Sequence, residues 1–429
     1  MSTLAVNARS IPKSKVIFAT TLGSALEFYD FTIYGFFSIQ IGTLFFPGAA
    51  QLNQFLLSIA VFGVGFVMRP LGGVVIGAYA DRAGRKRAMV LTIMMMALSC
   101  AVIACAPTYA MIGTAAPLLV LAARMLQGFA AGGEFGPGTT LLVEYSTDKT
   151  RAFFASWNFA AGALGFILAA GVATLINATL SHDDVLAWGW RIPFLAGIVV
   201  APAGVLIRRR LEETLTSTDM RRSKSGGGAV KAALTTHLRL TILGTLAELG
   251  GSISVFVTSF FLPSHAVRTL HLSPTSAMLS SVLAGVVMFI AAPAAGYLAD
   301  RFSRKTVLVT ARVTLMLSVY PAFLLLGAKP TALTLGAVSA YLGILVSSQI
   351  VPVLVMIPEL FPKEVRATGI ALTYVVSASF FGGFSPFIAT WLVAATGNPV
   401  APAWYVAGAC LISLIPIIWL RDRTGAKLD

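Results

Sequence analysis

The stretch Gly77-Ala78-Tyr79-Ala80-Asp81-Arg82-Ala83-Gly84-Arg85-Lys86 recurs as Gly296-Tyr297-Leu298-Ala299-Asp300-Arg301-Phe302-Ser303-Arg304-Lys305. Each copy closes one long apolar run and opens the next. A second pair repeats at nearly the same offset: Glu144 precedes Arg151 as Glu359 precedes Arg366. Two copies of a polar hinge at matched places imply a chain built of two similar halves in one orientation. The segment 211–237 joins them. It carries Glu212-Glu213, a basic run and Gly226-Gly227-Gly228, the composition of a polar linker.

The apolar runs decide the solvent. The chain has 429 residues, 57% of them hydrophobic and only 11% charged, where a soluble domain carries about 25% charge. Such a chain cannot cover its surface with polar groups in water. Runs long enough to cross a bilayer, about 20 residues each, lie at 16–46, 52–80, 88–106, 115–143, 152–178, 190–207, 240–265, 277–299, 306–327, 331–358, 367–395 and 400–420. Several exceed a perpendicular crossing, so tilt or kinks are expected. Breaks are expected at Gly132-Gly133, Pro293, Gly382-Gly383 and, near the midplane, Gly250-Gly251-Ser252. Continuous runs rather than alternating segments exclude a β-barrel.

Charge sets the orientation. Lys and Arg outnumber Asp and Glu by 31 to 17. With the N-terminus inside, the basic residues gather in the N-tail, the even-to-odd loops, the linker and the C-tail, as the positive-inside rule requires. Only Arg191, Arg268 and Lys329 fall near outer ends, and Arg69, Arg124 and Arg312 within spans. The basic balance is thus topological, and nucleic acid is not the expected partner. The expectation is an all-α membrane protein, with twelve transmembrane helices in two six-helix bundles and both termini cytoplasmic. The N-tail is 1–15, the first bundle 16–210, the linker 211–237, the second bundle 238–421 and the C-tail 422–429. No G-x-S-x-G, H-E-x-x-H, Walker A or Cys/His metal spacing occurs, so neither an enzyme nor a cofactor is expected.

The G-x-x-x-D-R-x-G-R-K pattern with its second copy resembles the major facilitator superfamily, and the resemblance covers the whole chain. Leu26-Glu27-Phe28-Tyr29-Asp30-Phe31, Met68-Arg69-Pro70, Arg124-Met125-Leu126-Gln127-Gly128 with Gly132-Gly133-Glu134, Trp188-Gly189-Trp190-Arg191-Ile192-Pro193-Phe194 and Pro358-Glu359-Leu360-Phe361-Pro362 resemble the metabolite–proton symporters within it. Asn177 to Asp184 is most similar to the citrate and tricarboxylate symporters. The resemblance implies a bacterial inner-membrane carrier, working as a monomer among lipids, that moves a small organic anion with protons by alternating access. A zwitterionic osmolyte, or an aromatic or hydroxy acid such as shikimate, is the second substrate reading. A non-transporting membrane receptor is the reading from another class.

The residues divide into three sets. Asp81, placed at a span end, can accept hydrogen bonds from a helix N-terminus in the other half. The resemblance implies that Asp81, Arg82, Arg85, Glu144 and Arg151 form an inward gate, with Asp300, Arg301, Glu359 and Arg366 as its second-half copy. The alternative is a basic loop that only fixes topology. Charges inside the spans are costly unless paired or used. Arg69 and Arg124 can hold a carboxylate, and Gln127, Tyr29, Asn158 and Gln349 are polar candidates for the same substrate site. Asp30, Glu27, Glu134 and Glu248 are the candidate proton carriers. A satisfied structural ion-pair network is the alternative for Arg69, Arg124, Asp30, Glu27 and Glu134, a structural hydrogen bond for Glu248, and interhelical hydrogen bonds for Asn158 and Gln349. Glu248 departs from the citrate symporters, which carry polar or aromatic residues there, as do Gly162, Ala163 and Gly165 in span 5.

Overall fold

In lipid every backbone N–H and C=O must bond within its own segment. The computed structural model accordingly describes helices alone. It covers residues 13–48, 50–83, 85–132, 142, 146–198, 235–361, 366–420 and 422–426. In chain order these form α1 (Lys13–Phe36), α2 (Ser38–Phe45), α3 (Gln51–Ala83), α4 (Arg85–Cys105), α5 (Tyr109–Ile112), α6 (Ala115–Gly132), α7 (Arg151–Thr179) and α8 (His182–Ala187). A short 3-10 turn, Gly189–Arg191, leads into a helix over 192–198. The second half holds α9 (Leu238–Phe256), α10 (Leu262–Arg268), α11 (Pro274–Arg301), α12 (Arg304–Ala328), α13 (Ala332–Leu360), α14 (Arg366–Val376), α15 (Ser385–Thr396) and α16 (Ala401–Trp419). Most of the linker 211–237 lies outside the described residues.

Among the described residues, nine helices are long and apolar enough to cross a membrane. They coincide with nine of the windows read from the sequence. Window 88–106 gives the shorter apolar helix Val90–Cys105. Window 16–46 divides at Phe37 into α1 and α2, and window 190–207 runs beyond the described residues. Helix starts use the expected chemistry. Ser273, Ser303 and Thr331 each accept a hydrogen bond from the backbone N–H three residues on. Large apolar side chains such as Leu317, Ile290 and Leu411 face outward, the surface a bilayer covers and water does not. Trp391 and Trp404, exposed near one end, and Trp419 at the other suit the two interfaces.

Two expected breaks are absent. α9 runs unbroken through Gly250-Gly251-Ser252, and the irregular turn comes later, as a π segment at Val257–Phe261. The glycines instead admit neighbours: a Cβ on Gly250 would collide with the Ser413 hydroxyl, and one on Gly251 would meet Ile350 at 3.2 Å. Pro293 likewise leaves α11 continuous. At Gly382 a break does occur, closing a second π segment over Ser377–Gly382. Such π turns recur at functional sites.

Packing gives two main cores. One draws on residues 29–194 plus Met278, the other on residues 249–410. Within the first half, α3 and α6 touch backbone to backbone. A Cβ on Gly128 would fall on the Gly65 carbonyl, and one on Gly132 on the Arg69 carbonyl, the close approach that small residues permit between membrane helices.

Across the halves, α7 and α11 make the most extensive contact between any two elements. Their ends are clamped electrostatically. Asp300 on α11 accepts hydrogen bonds from Ala152 N (3.0 Å) and Phe153 N (2.8 Å), the first turn of α7, where the helix dipole favours an anion. Arg151 bridges Glu359 at 2.8 Å and Asp148 at 2.5 Å. Arg304 also pairs with Glu359, and lies 3.5 Å from Asp300. The C-tail covers this cluster. Arg423 donates to Glu359 O (3.3 Å), Arg151 to Ala426 O (3.3 Å), and Arg304 N to Thr424 Oγ1 (3.0 Å). Burial alone would raise the Asp422 carboxyl, but hydrogen bonds from Ser303 and Thr424 and the Arg304 charge outweigh it and hold the group below the usual carboxylate range. Toward the other end of α11, Thr275 donates to Asn177 O at 3.3 Å and Arg268 lies 4.3 Å from the Phe55 ring centroid. The halves thus touch at both ends.

Two outcomes follow from this packing. Gly128→Leu forces α3 and α6 apart and should abolish accumulation of folded protein, read by fluorescence-detected size exclusion. Glu359→Gln leaves Arg151 and Arg304 buried without their shared carboxylate. It should cost about 3–5 kcal/mol, read as a lower melting temperature in detergent, whereas Arg301→Gln, at an exposed site, should change little.

Candidate functional site

The middle of the first half holds two guanidiniums. Arg124 on α6 is fully buried. Its Nη1 donates to Phe31 O at 3.4 Å and to Gln127 Oε1, while Nε and Nη2 find no partner. Gln127 in turn donates to Asp30 O at 2.9 Å, so the α1 backbone and one amide orient the arginine. Its guanidinium carbon lies 4.3 Å from the Phe31 ring centroid and 4.5 Å from that of Tyr34. Arg69 on α3 lies 4.3 Å from the same Phe31 ring and 4.2 Å from Phe66, and its Nε has no partner. One phenyl ring thus touches both cations. Among the described residues no carboxylate pairs with either of them; the ion pairs gather at the α7–α11 clamp.

Arg69 reaches the interface between the halves. It lines a small cavity with Gly132 from its own half and Tyr374, Val375 and Ala378 from the other. Aromatic rings close the middle around it. Phe66 and Phe62 of α3 meet Phe256 and Phe260 of the second half, with centroids 4.9 Å and 5.0 Å apart. Phe36 and Phe166 also pack on Phe260, at 6.3 Å and 6.0 Å. Phe256 ends α9 and Phe260 lies in the following π segment, so the irregular turn sets where these rings point.

The remaining candidates are distributed unevenly. Asp30 is buried, but its carboxylate lies against Gly197 and near Cys100, behind α1, and its Oδ1 has no hydrogen-bond partner. Tyr29 donates to Pro193 O at 3.1 Å. Both are turned toward 192–198 and away from the cavity. Asn158 is buried on α7 and does not line it. Glu248 and Gln349 belong to a separate group in the second half. There Arg312 donates from Nε to Gln349 Oε1 (3.0 Å) and from Nη1 to Ala247 O (2.6 Å). Among the described residues Glu248 receives only Ser252 Oγ, at 3.5 Å. Of the gate residues, Arg151, Asp300 and Glu359 come together, while Arg301 turns to Tyr297 at 3.3 Å and stays out of the cluster. Arg304 stands in its place. Glu134 and Glu144 lie outside the described residues, as do the side chains of Glu27, Asp81, Arg82, Arg85 and Arg366.

Sequence reasoning missed Tyr374, Arg304 and the Phe62, Phe66, Phe256 and Phe260 rings. The phenylalanines had a signal: each pair is spaced i, i+4 on one helical face, and the pairs come from opposite halves. Arg304 had one as well, since it heads the basic part of the second motif copy.

Comparison with known proteins agrees with this architecture. Residues 16–225 match the family described as Sugar (and other) transporter, and residues 244–428 match the Major Facilitator Superfamily. The chain is 33% identical to the citrate-proton symporter of Klebsiella pneumoniae, over 96% of this chain and 93% of that one. It is 32% identical to the glycine betaine/proline/ectoine/pipecolic acid transporter OusA of Dickeya dadantii, over 96% and 84%. Among solved structures, the proton:xylose symporter XylE bound to 6-bromo-6-deoxy-D-glucose superposes with a TM-score of 0.76 at 17% identity, covering 97% of each chain. The inward open conformation of XylE from Escherichia coli gives 0.70. With its apolar helices and bacterial relatives, this is a multi-pass protein of the bacterial inner membrane. The chain belongs to the major facilitator superfamily, within its metabolite–proton symporter group, and is similar there to citrate-proton symporters.

Proposed function

We propose that this protein is a secondary active transporter that carries a small organic anion, a di- or tricarboxylate such as citrate, together with protons. The observation that supports this most is the guanidinium pair around Phe31. Burying a cation without a counter-charge costs several kcal/mol. Cation–π contact returns about 2 kcal/mol when desolvated, and leaves Arg69 Nε and Arg124 Nε and Nη2 without a hydrogen-bond partner. An anion entering beside Arg69 supplies the missing partner. At 4 Å and an effective dielectric of about 20, each charge pair contributes about 4 kcal/mol. A multivalent carboxylate gains from both arginines, with Arg69 making the contact and Arg124 adding its field from behind.

The rest of the reading follows from the duplicated chain. Twelve spans in two six-helix bundles, with both termini cytoplasmic, place the Asp300–α7 and Glu359–Arg151 clamp on the cytoplasmic side. There it acts as the inward gate, opening when the halves rock about the cavity. Asp81, Arg82, Arg85, Glu144 and Arg366 complete that gate in this reading. The work is done by a single chain among lipids. Protons enter on a carboxyl of the apolar runs, from among Asp30, Glu27, Glu134 and Glu248, in keeping with relatives named citrate-proton symporters.

A second substrate reading has its own support. Phe256, Phe260, Phe62 and Phe66 form an aromatic wall at the interface, and such walls receive ammonium groups. A zwitterion such as glycine betaine or proline would set its carboxylate on Arg69 and its cationic end on the rings. Relatives named proline/betaine transporters accord with this.

Thermal-shift titration of purified protein separates the two. Citrate should raise the melting temperature, glycine betaine and proline should not, and Arg69→Gln should weaken the citrate response at least about 100-fold. Arg124→Gln should weaken it less. A shift with glycine betaine alone would transfer the assignment to the zwitterion. In proteoliposomes, labelled citrate should accumulate under an imposed inward proton gradient and cease to when pH and voltage gradients are collapsed together; unchanged uptake would remove proton coupling.

A further inference from the structure

The anion site uses the first half and leaves a second buried ionic group unexplained. Arg312, Gln349 and Glu248 are all within 2% of full burial, and each keeps an unpartnered polar atom: Arg312 Nη2, Gln349 Nε2 and Glu248 Oε2. Arg312 Nη2 and Glu248 Oε1 both lie within 4 Å of the point a Gly251 Cβ would occupy, at 3.4 Å and 3.8 Å. They are close neighbours, yet no ion pair forms between them. The guanidinium spends its hydrogen bonds on neutral acceptors, Gln349 Oε1 and the Ala247 carbonyl. An ionised carboxylate beside a fully buried guanidinium would be expected to draw it into a short bidentate pair. Neutral acceptors around the arginine, and only a 3.5 Å hydroxyl contact at Glu248, are the arrangement a protonated carboxyl gives.

The carboxyl also has a route to the interface. Ser252 Oγ contacts Glu248 Oε1, and Ser377 donates to Ser252 Oγ at 3.1 Å. Ser377 opens the second π segment, Ser377–Gly382, between Tyr374 and Val375, which line the cavity with Arg69, and Ala378, which lines it too. Two hydroxyls thus run from Glu248 to the helical segment whose Tyr374, Val375 and Ala378 line the anion cavity. The charged and titratable groups facing it are Arg312 from α12 and Tyr374 from α14, with Cys410 of α16 behind Arg312. Among the described residues α13 contributes the neutral Gln349.

We propose that Glu248 is the proton site of the carrier, with Arg312 and Gln349 as positioning residues and Ser252 and Ser377 as its relay to the anion cavity. The proposal rests on the anion reading above for what the proton is coupled to. The chemistry is one proton transfer in each direction: Glu248 gains an O–H bond from hydronium on the outer side and loses it to water on the inner side. Coupling follows from charge. With Glu248 ionised, the Glu248–Arg312 group is neutral overall. With Glu248 protonated it carries one positive charge, which attracts an anion in the adjoining cavity. A unit charge about 10 Å away at an effective dielectric of about 20 changes affinity roughly tenfold. By linkage the anion raises the proton affinity of Glu248 by the same factor. Asp30, behind α1 and against 192–198, has no such connection to the cavity.

Infrared titration of the protein in liposomes tests this without any substrate, by following the C=O stretch of protonated carboxyl groups from acid to alkaline pH. Glu248→Gln should remove the titrating band, Glu248→Asp should move it, and Asp30→Asn should leave it in place. A band lost in Asp30→Asn and retained in both Glu248 variants would overturn the assignment. Should Glu248→Gln fail to fold, the displacement of the band by Glu248→Asp decides. Adding citrate should raise the midpoint of the wild-type band by about one unit, the tenfold coupling expressed as proton affinity. A Glu248 band that ignores citrate supports the proton site and counts against the citrate reading. A citrate thermal shift that survives beside a band belonging to Asp30 does the reverse.

Discussion

The rings of Phe31, Phe66 and Tyr34 hold the guanidiniums of Arg69 and Arg124 in the interior of a membrane protein, with no carboxylate paired to either among the described residues. An aromatic face offers a cation electrostatic attraction but accepts no conventional hydrogen bond. The charge is therefore tolerated, while Arg69 Nε and Arg124 Nε and Nη2 stay without a partner. A carboxylate in the same place would have satisfied the arginines and closed the site. In the proposed reading, the choice of ring over acid separates a charge kept for a visiting anion from one kept for structure. The Arg151–Glu359–Arg304 group shows the opposite choice, with carboxylate and guanidinium in direct contact.

These two kinds of charge occupy different levels of the interface. Direct ion pairs and the Asp300 contact with the first turn of α7 hold one end together. Phenylalanines meet across the middle. Ion pairs and helix-end hydrogen bonds are directional and break as units, which suits the inward gate of the proposed reading. Ring-on-ring contact is less directional and tolerates sliding, which suits a pivot. The two π segments, Val257–Phe261 and Ser377–Gly382, stand at this middle level and set the rings of the second half against Phe62 and Phe66.

Much of this was legible before any coordinates. Continuous apolar runs give the helices, because lipid allows the backbone no other economy, and the repeated Asp-Arg motif gives the two halves. The sequence also marks Arg69, Arg124 and Glu248 by the cost of placing them there. Direction was harder to read. Asp30 and Phe31 are neighbours in sequence but about 100° apart around the helix, so Phe31 meets the arginines while Asp30 faces 192–198. Likewise Arg301 and Arg304 sit in one motif, and only Arg304 turns into the clamp. Gly250-Gly251 reads as a break on composition alone, yet it serves close packing against Ser413 and Ile350. In each case the deciding fact is which neighbour occupies the adjoining space, and a single sequence does not contain it.

The most direct test of the guanidinium account is a cryo-electron microscopy structure of the protein with citrate. The account predicts density for a carboxylate on Arg69, in an enlarged cavity bounded by Tyr374 and Ala378, with Arg124 still held by Phe31 O and Gln127. Citrate density elsewhere, or Arg69 found paired with a protein carboxylate such as Glu134 while citrate is bound, would contradict it.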